Sequence, residues 1–182
     1  EMLDQILKLF SITPDADLDL MQPGQTLAGL SARILEKLPA VFDELKPDAT
    51  IVQGDTTTTF CSALSSFYAD VPIGHVEAGL RTGDIREPFP EEMNRVLTTR
   101  LAAWHFPATE NNRQTLLGES VSSDDVYVTG NTVIDALLEV RNRIEQGACS
   151  DETSQFIGQF ERPFILVTGH RRESFGGGFE SI

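Results

Sequence analysis

The chain has 182 residues and a formal net charge of −14, which argues against nucleic-acid binding because that function requires a basic face. A few local arginines could still bind an anionic substrate despite this overall charge. Hydrophobic residues make up 40% and charged residues 23% of the chain, as is usual for a globular protein, and no apolar run approaches the roughly 20 residues of a membrane span.

The predicted elements alternate between helices and strands. The first ten residues have the periodicity of an amphipathic helix, and a second helix follows Thr26, whose hydroxyl suits an N-cap. Pro39 should kink or divide this second helix. The later segments, in chain order, are a strand at 49–55, a helix at 57–70, a strand at 71–79, a helix at 91–104, an extended segment at 104–109, a helix at 110–120, a strand at 124–131, a helix at 132–146, a connection at 146–162 and a strand at 164–170.

Strands that alternate with helices imply an α/β domain, in which a parallel sheet is covered by helices on both faces. Ligands bind such sheets at the carboxyl ends of the strands. Each predicted strand ends in polar residues beside a glycine: Gln53, Gly54 and Asp55; His75, Glu77 and Gly79; Thr129, Gly130 and Asn131; Thr168, Gly169 and His170. Together these strand ends suggest one shared crevice.

Most of these polar residues also have a structural interpretation. Asp55 before a run of threonines could cap a helix, His75 could be a hydrogen-bonded histidine of the sheet, and Glu91 could stabilise a helix N-terminus. Glu77 is harder to explain in this way, because an acid within an apolar strand costs free energy unless it is paired or functional.

Several motifs together resemble a known family. The segments "QGDTTTT", "HVEAGLRTGD", "PFPEEMNR", "TGNTVIDAL" and "TGHRRES" occur in the order and spacing of the non-hydrolysing UDP-N-acetylglucosamine 2-epimerases. This family has a GT-B-type two-domain fold with the active site in the cleft between the domains. The resemblance extends over the whole chain and implies a Rossmann-like parallel-sheet domain truncated at both ends, that is, an internal fragment of a longer protein.

The resemblance also implies a domain organisation. Residues 1–150 would form the N-terminal Rossmann-like domain without its first strand, residues 151–162 the interdomain connection, and residues 163–182 the start of the C-terminal UDP-binding domain. Because the family's active site lies between two domains, we expect the fragment alone to be inactive.

The activity that the resemblance implies is reversible C2 epimerisation of UDP-GlcNAc to UDP-ManNAc, for precursors of cell-surface polysaccharides. The route is elimination of UDP to give a 2-acetamidoglucal, with no cofactor and no metal. By match to the family motifs, the catalytic residues are Asp55, Glu77 and Glu91. The substrate-binding residues are His170, which matches the family's histidine at the UDP portion, with Arg95, Arg171 and Arg172.

The remaining expectations concern the surroundings of the protein. Cys61 and Cys149 have no metal-binding or redox spacing, and so few cysteines favour a cytoplasmic location. The expected partner is a UDP-sugar, with neither nucleic acid nor membrane, and we expect the full-length protein to be a homodimer. Gln53 stands where some relatives have histidine.

Alternative functions are an epimerase of another UDP-2-acetamido sugar, a hydrolysing relative, a GT-B glycosyltransferase and a non-catalytic UDP-sugar-binding protein. The segment "LRTGD" after "EAG" favours the GlcNAc enzyme. A binding protein would gain nothing from keeping three acids near a diphosphate.

Overall fold

The structure is a computed structural model, and it describes residues 2–148, 151–160 and 163–165. By contacts the chain divides into two compact units, Glu1–Thr132 and Val133–Ile182. The helices of the described residues are α1 (Met2–Phe10), α2 (Leu27–Leu45), α3 (Thr57–Tyr68), α4 (Glu91–Leu101), α5 (Glu110–Gly118), α6 (Thr132–Glu145) and α7 (Asp151–Ile157), with a 3-10 helix at Ser123–Asp125. Within the described residues, no helix is both long and apolar enough to cross a bilayer.

The first unit contains a parallel sheet of three strands in the order β1 (Thr50–Gln53), β2 (Ile73–Val76) and β3 (Trp104–Phe106). The register places His75 of β2 beside Val52 on one side and His105 on the other. Helices connect these strands, so the predicted α/β architecture is confirmed. Because the strands are parallel, all their carboxyl ends lie at one edge of the sheet, where the predicted site residues follow them.

The core of this unit lies where helices pack on the sheet. One cluster joins Val52 of β1, Ala63 of α3 and Ile73 of β2, with Leu101 and Ala102 packed against it. A second cluster, beyond β2, consists of Ala78, Leu116 and Val126. Both clusters pack beside strands that lead to the predicted site residues, and a site built from strand-end residues needs such packing.

Helix α2 shows what its capping and its proline do. Thr26 is its N-cap and accepts a hydrogen bond from the backbone N–H of Gly29 at 3.0 Å, as predicted. The helix continues through Pro39 to Leu45 instead of dividing there. A proline inside a helix costs it one backbone hydrogen bond, and α2 is continuous despite that loss.

The prediction of a strand at 124–131 is wrong. The 3-10 helix at Ser123–Asp125 is capped by Ser122 and takes up the first residues of this segment. The chain then runs beside β3 with a single bridge, from His105 to Val126, and the backbone N–H of Tyr127 donates to the carbonyl of His105 at 2.9 Å. The segment extends the sheet without forming a regular strand.

The described residues of the second unit differ from the prediction at α7 and at residues 164–165. Helix α7 lies inside the stretch predicted to be a connection, and the rings of Phe160 and Phe164 lie 4.5 Å apart. The strand predicted at 164–170 begins at Phe164 and Ile165, which are not in a strand, and its other residues lie outside the described residues. The compact division falls after Thr132, and the domain boundaries at 150 and 162 stay predictions.

Candidate active site

The turn after β1 presents Asp55 without using it as a helix cap. Gly54 has a φ of +74°, a left-handed conformation that glycine adopts without strain. Thr56 is the N-cap of α3, and its hydroxyl accepts from the backbone N–H of Thr59 at 3.2 Å. The capping interpretation of Asp55 is therefore wrong, and its carboxylate is left for other contacts.

Asp55 is instead held by helix α4. The guanidinium of Arg95 lies 2.9 Å from Oδ2 of Asp55 and 3.3 Å from Oε2 of Glu92. The amide of Asn94 donates to the backbone carbonyl of Asp55 at 2.8 Å. The side chain of Arg95 is 6% exposed and that of Asp55 is 30% exposed. The Asp55 carboxylate is therefore partly open to solvent, while the guanidinium that pairs with it is buried.

Glu77 follows β2 in a strained conformation. Its φ is +65°, which is unusual for a residue with a Cβ, and its backbone N–H donates to the carbonyl of Phe106 at 3.1 Å. Such strain persists where the surrounding structure fixes it, and it is concentrated at functional sites. The conformation carries the half-buried carboxylate of Glu77 over Gly54, where an added Cβ would lie 3.5 Å from Oε2.

Gln53 links this acid to the start of α6. Its side-chain amide lies 3.5 Å from Oε1 of Glu77, a long contact, and donates to Oγ1 of Thr132 at 3.1 Å. Gln53 therefore faces a predicted catalytic acid. A neutral amide there can donate a hydrogen bond but cannot carry a proton away.

His75 belongs to the structural part of the site. It is fully buried, and its Nε2 lies 2.8 Å from the carbonyl oxygen of Gly54. Because a carbonyl only accepts, Nε2 carries the proton. Burial lowers the pKa of His75 from 6.5 to about 4, the hydrogen bond to Gly54 opposing part of that effect, so the imidazole is neutral near pH 7. These contacts favour the interpretation of His75 as a sheet histidine.

The loop between Glu77 and Glu91 is fixed from α4. Oε1 of Glu92 accepts hydrogen bonds from the backbone N–H groups of Thr82 at 3.0 Å and Gly83 at 3.2 Å. Arg81 joins the loop to two helices, since its guanidinium donates to both oxygens of Glu119, at 2.8 and 3.0 Å, and to Oγ1 of Thr99 in α4 at 2.9 Å. Arg81 therefore supports the loop from α4 and from the end of α5.

Glu91 begins helix α4 and is half-buried. Pro90 stands at the N-cap position, and no side chain caps the helix. The helix N-terminus carries partial positive charge, which stabilises a carboxylate nearby. Within the described ranges, no residue donates a hydrogen bond to the side-chain carboxylate of Glu91, so this carboxylate is available to a ligand.

The described residues of the site form two sets, and three predicted site residues lie outside the described part of the chain. The half-buried carboxylates are Asp55, Glu77 and Glu91. The buried network consists of Glu92, Asn94 and Arg95. His170, Arg171 and Arg172 lie outside the described residues.

Sequence reasoning missed Glu92 and Asn94. A local signal existed for one of them, because Glu92 and Arg95 are three residues apart on a helix, the spacing of an ion pair on one face. The contacts from Arg95 and Asn94 to Asp55 join distant parts of the chain, and no local pattern announces them.

The chain is similar to a set of named proteins. A family model described as UDP-N-acetylglucosamine 2-epimerase matches residues 1–182. The chain is 55% identical over 188 residues to the UDP-N-acetylglucosamine 2-epimerase of Escherichia coli K12, covering 100% of this chain and 49% of that protein. It is 47% identical over 185 residues to the Neisseria meningitidis protein of the same name, covering 50% of it. The chain therefore spans about half the length of the curated relatives that it matches.

Solved structures show the same likeness. The Neisseria meningitidis UDP-GlcNAc 2-epimerase bound to UDP-GlcNAc matches with a TM-score of 0.80 and 46% identity, over 86% of this chain and 43% of that one. The S. aureus MnaA–UDP co-structure matches with a TM-score of 0.83 and 44% identity, over 97% of this chain and 45% of that one. These matches confirm the predicted fold class, a Rossmann-like α/β domain of a GT-B-type fold. With its whole length matched by the family model, the chain belongs to the UDP-N-acetylglucosamine 2-epimerase family.

Proposed function

We propose that the protein containing this chain interconverts UDP-GlcNAc and UDP-ManNAc by inverting C2 of the sugar, without hydrolysis. The observation that carries the proposal is the set of half-buried carboxylates. Asp55 follows β1, Glu77 follows β2 and Glu91 begins α4. Family membership and the names of the relatives support the same activity.

The chemistry requires acids and bases that face the sugar. The proton at C2 is not next to a carbonyl, so it is removed while the C1–O bond to UDP breaks. The electrons of the C2–H bond form the C1=C2 double bond of 2-acetamidoglucal, and UDP leaves with the electrons of the C1–O bond. Return of a proton to the opposite face of C2 and of UDP to C1 completes the inversion. Substrate and product have the same composition, and no oxidant or reductant is consumed.

The carboxylates differ in how they are held, which suits distinct parts in a two-step proton transfer. Asp55 is anchored through Oδ2 to Arg95. Glu77 is held by its left-handed backbone beside Gln53. Glu91 has the field of a helix N-terminus. Together they remove and return the C2 proton.

Three basic residues are proposed to bind the diphosphate of UDP. His170, Arg171 and Arg172 follow a predicted strand and would stabilise the negative charge that develops on departing UDP. A substrate contact by Arg95 has less support, since its guanidinium is 6% exposed and faces two carboxylates.

The test uses the full-length protein and UDP-GlcNAc in D2O, with no cofactor added. We expect UDP-ManNAc that carries deuterium at C2, because the returning proton comes from an acid that exchanges with solvent. Asp55→Asn serves as the control for adventitious exchange. Product that retains all its C2 hydrogen would exclude proton transfer, and release of free ManNAc would indicate a hydrolysing enzyme.

The setting of the protein is proposed with the activity. We expect a cytoplasmic homodimer that supplies precursors of cell-surface polysaccharides. Cell fractionation tests the location, and light scattering coupled to size-exclusion chromatography tests the dimer.

A further inference from the structure

Glu92 is a buried carboxylate that the proposed chemistry does not use. Its side chain is 2% exposed. A charge in such a place is costly unless hydrogen bonds and an opposite charge compensate it. Both are present, because Oε1 accepts from the backbone N–H groups of Thr82 and Gly83, and Oε2 lies 3.3 Å from the guanidinium of Arg95.

The same guanidinium reaches a predicted catalytic residue. Arg95 lies 2.9 Å from Oδ2 of Asp55, and its side chain is 6% exposed. The planar fork of arginine can face two carboxylates at once, which the single ammonium of lysine does less well. Arg95 therefore stands between one acid that faces the crevice and one that does not.

Glu92 also fixes the loop that separates the other two acids. Residues 78–90 connect Glu77 with Glu91, and the hydrogen bonds from Thr82 and Gly83 fall in the middle of this loop. Glu92 follows Glu91 directly in the first turn of α4. One side chain thus touches the loop between two of the acids and the partner of the third.

We propose that Glu92 and Arg95 are positioning residues, which hold Asp55 in one orientation and tie that orientation to the loop between Glu77 and Glu91. The proposal rests on the proposed function, since it assigns Asp55 a part in proton transfer. Arg95 engages Oδ2, and no described residue donates a hydrogen bond to Oδ1 of Asp55. The pair therefore turns one oxygen inward and leaves the other for the sugar.

Positioning of this kind has a measurable consequence. A small misplacement of an acid lowers the rate of the chemical step while the substrate still binds. Loss of the Glu92 contacts should therefore lower kcat with little change in KM. If Glu92 served the fold alone, its substitution would lower the melting temperature without lowering kcat selectively over KM.

The experiment is a double-mutant cycle in the full-length protein, with Glu92→Gln, Asp55→Asn and the double variant. Glu92→Gln alone should lower kcat by about 10- to 100-fold, the size expected for a misplaced group, with KM within about twofold. In the Asp55→Asn background the same substitution should lower kcat by less than about threefold, because positioning matters only while the carboxylate is present. Equal losses in the two backgrounds, or normal kcat in Glu92→Gln, would overturn the proposal.

Two further variants keep the result interpretable. Arg95→Lys retains the charge and loses the fork, and it enters the same cycle if Glu92→Gln fails to fold. Glu110→Gln is the matched control, since Glu110 also pairs with an arginine three residues along its helix, Arg113, which lies on α5 and not beside Asp55. It should keep kcat within about twofold. If Asp55→Asn alone had normal turnover, the proposed function would fail first, and the cycle separates that outcome from failure of the positioning pair.

Discussion

The first turn of α4 places two neighbouring glutamates in opposite situations. Glu92 is 2% exposed, receives two backbone hydrogen bonds and lies beside Arg95. Glu91 is half-buried, and its carboxylate receives no hydrogen bond from the described residues. Two identical side chains on one helix thus differ in their environment alone, and environment decides whether a carboxylate holds structure or reacts.

The same contrast extends across the sheet edge. The half-buried carboxylates keep oxygens available to a ligand, whereas each member of the buried network contacts a backbone group or a charge. The open acids are useful only if the groups beneath them do not move, because acid–base catalysis depends on geometry as well as on proton affinity. Stability and reactivity are therefore assigned to different, adjacent residues.

The largest effect should come from the centre of the buried network. Arg95→Leu leaves Glu92 buried without its cation, and breaking a buried pair in this way costs about 3–5 kcal/mol of unfolding free energy. Thermal and urea unfolding of the full-length protein would measure the loss. The control is Arg113→Leu, which removes a partly exposed pair with Glu110 and should change the transition much less. Equal shifts for the two variants would show that the network adds no special stability.

The next largest effect is the pH dependence of stability that His75 causes. Burial lowers its pKa from 6.5 to about 4, so folding disfavours the protonated ring. Above pH 6.5 the ring is neutral in both states and the stability is complete. Between pH 6.5 and 4 the unfolded chain binds a proton that the folded chain does not, so stability falls as pH falls. At about 1.4 kcal/mol per pH unit, this shift amounts to roughly 3 kcal/mol.

The measurement is the melting temperature across that pH range, in the parent and in His75→Gln, whose amide can still donate to the carbonyl of Gly54. The variant should lose much of the slope. Part will remain, because burial also lowers the pKa of His105. Identical slopes in both proteins would show that His75 does not contribute to the pH dependence.

The half-buried carboxylates should show the reverse pattern, with activity lost and stability kept. Glu91→Gln removes an acid that no described residue holds, so we expect turnover to fall by at least about 100-fold, or roughly 2.7 kcal/mol of activation free energy. The melting temperature should stay near that of the parent. Asp55→Asn and Glu77→Gln should behave alike. Near-normal turnover in a folded variant would show that the substituted residue is structural and not catalytic.

The strands and helices that carry this site could be predicted from the sequence because their signals are local. The alternation of strands and helices, and the glycines that follow β1 and β2, are signalled by short-range periodicity and backbone freedom. The segment at 124–131 failed because a serine-capped turn at Ser123–Asp125 competes locally with the strand. Helix α7 was missed because seven residues give too little periodicity to recognise.

The site itself was predictable only in part. The three acids are predicted by motif match, but the way each one is held is not, since it depends on contacts between residues far apart in sequence. The pairing of Asp55 with Arg95 and the hydrogen bonds from the 82–83 backbone to Glu92 are of this kind. Only the Glu92–Arg95 spacing could have been noticed in advance.

The smallest effect concerns which of two adjacent residues caps α3, since both Asp and Thr are good N-caps. The hydroxyl of Thr56 accepts from the backbone N–H of Thr59, and the carboxylate of Asp55 pairs with Arg95. Thr56→Ala should therefore cost about 1 kcal/mol of unfolding free energy, while turnover stays within about twofold. Asp55→Asn should do the opposite and lower turnover with little loss of stability. Urea unfolding and steady-state assays on both full-length variants make the comparison. If Asp55→Asn were the less stable variant and Thr56→Ala the less active one, the division of labour between the two residues would be reversed, and Asp55 would be the cap.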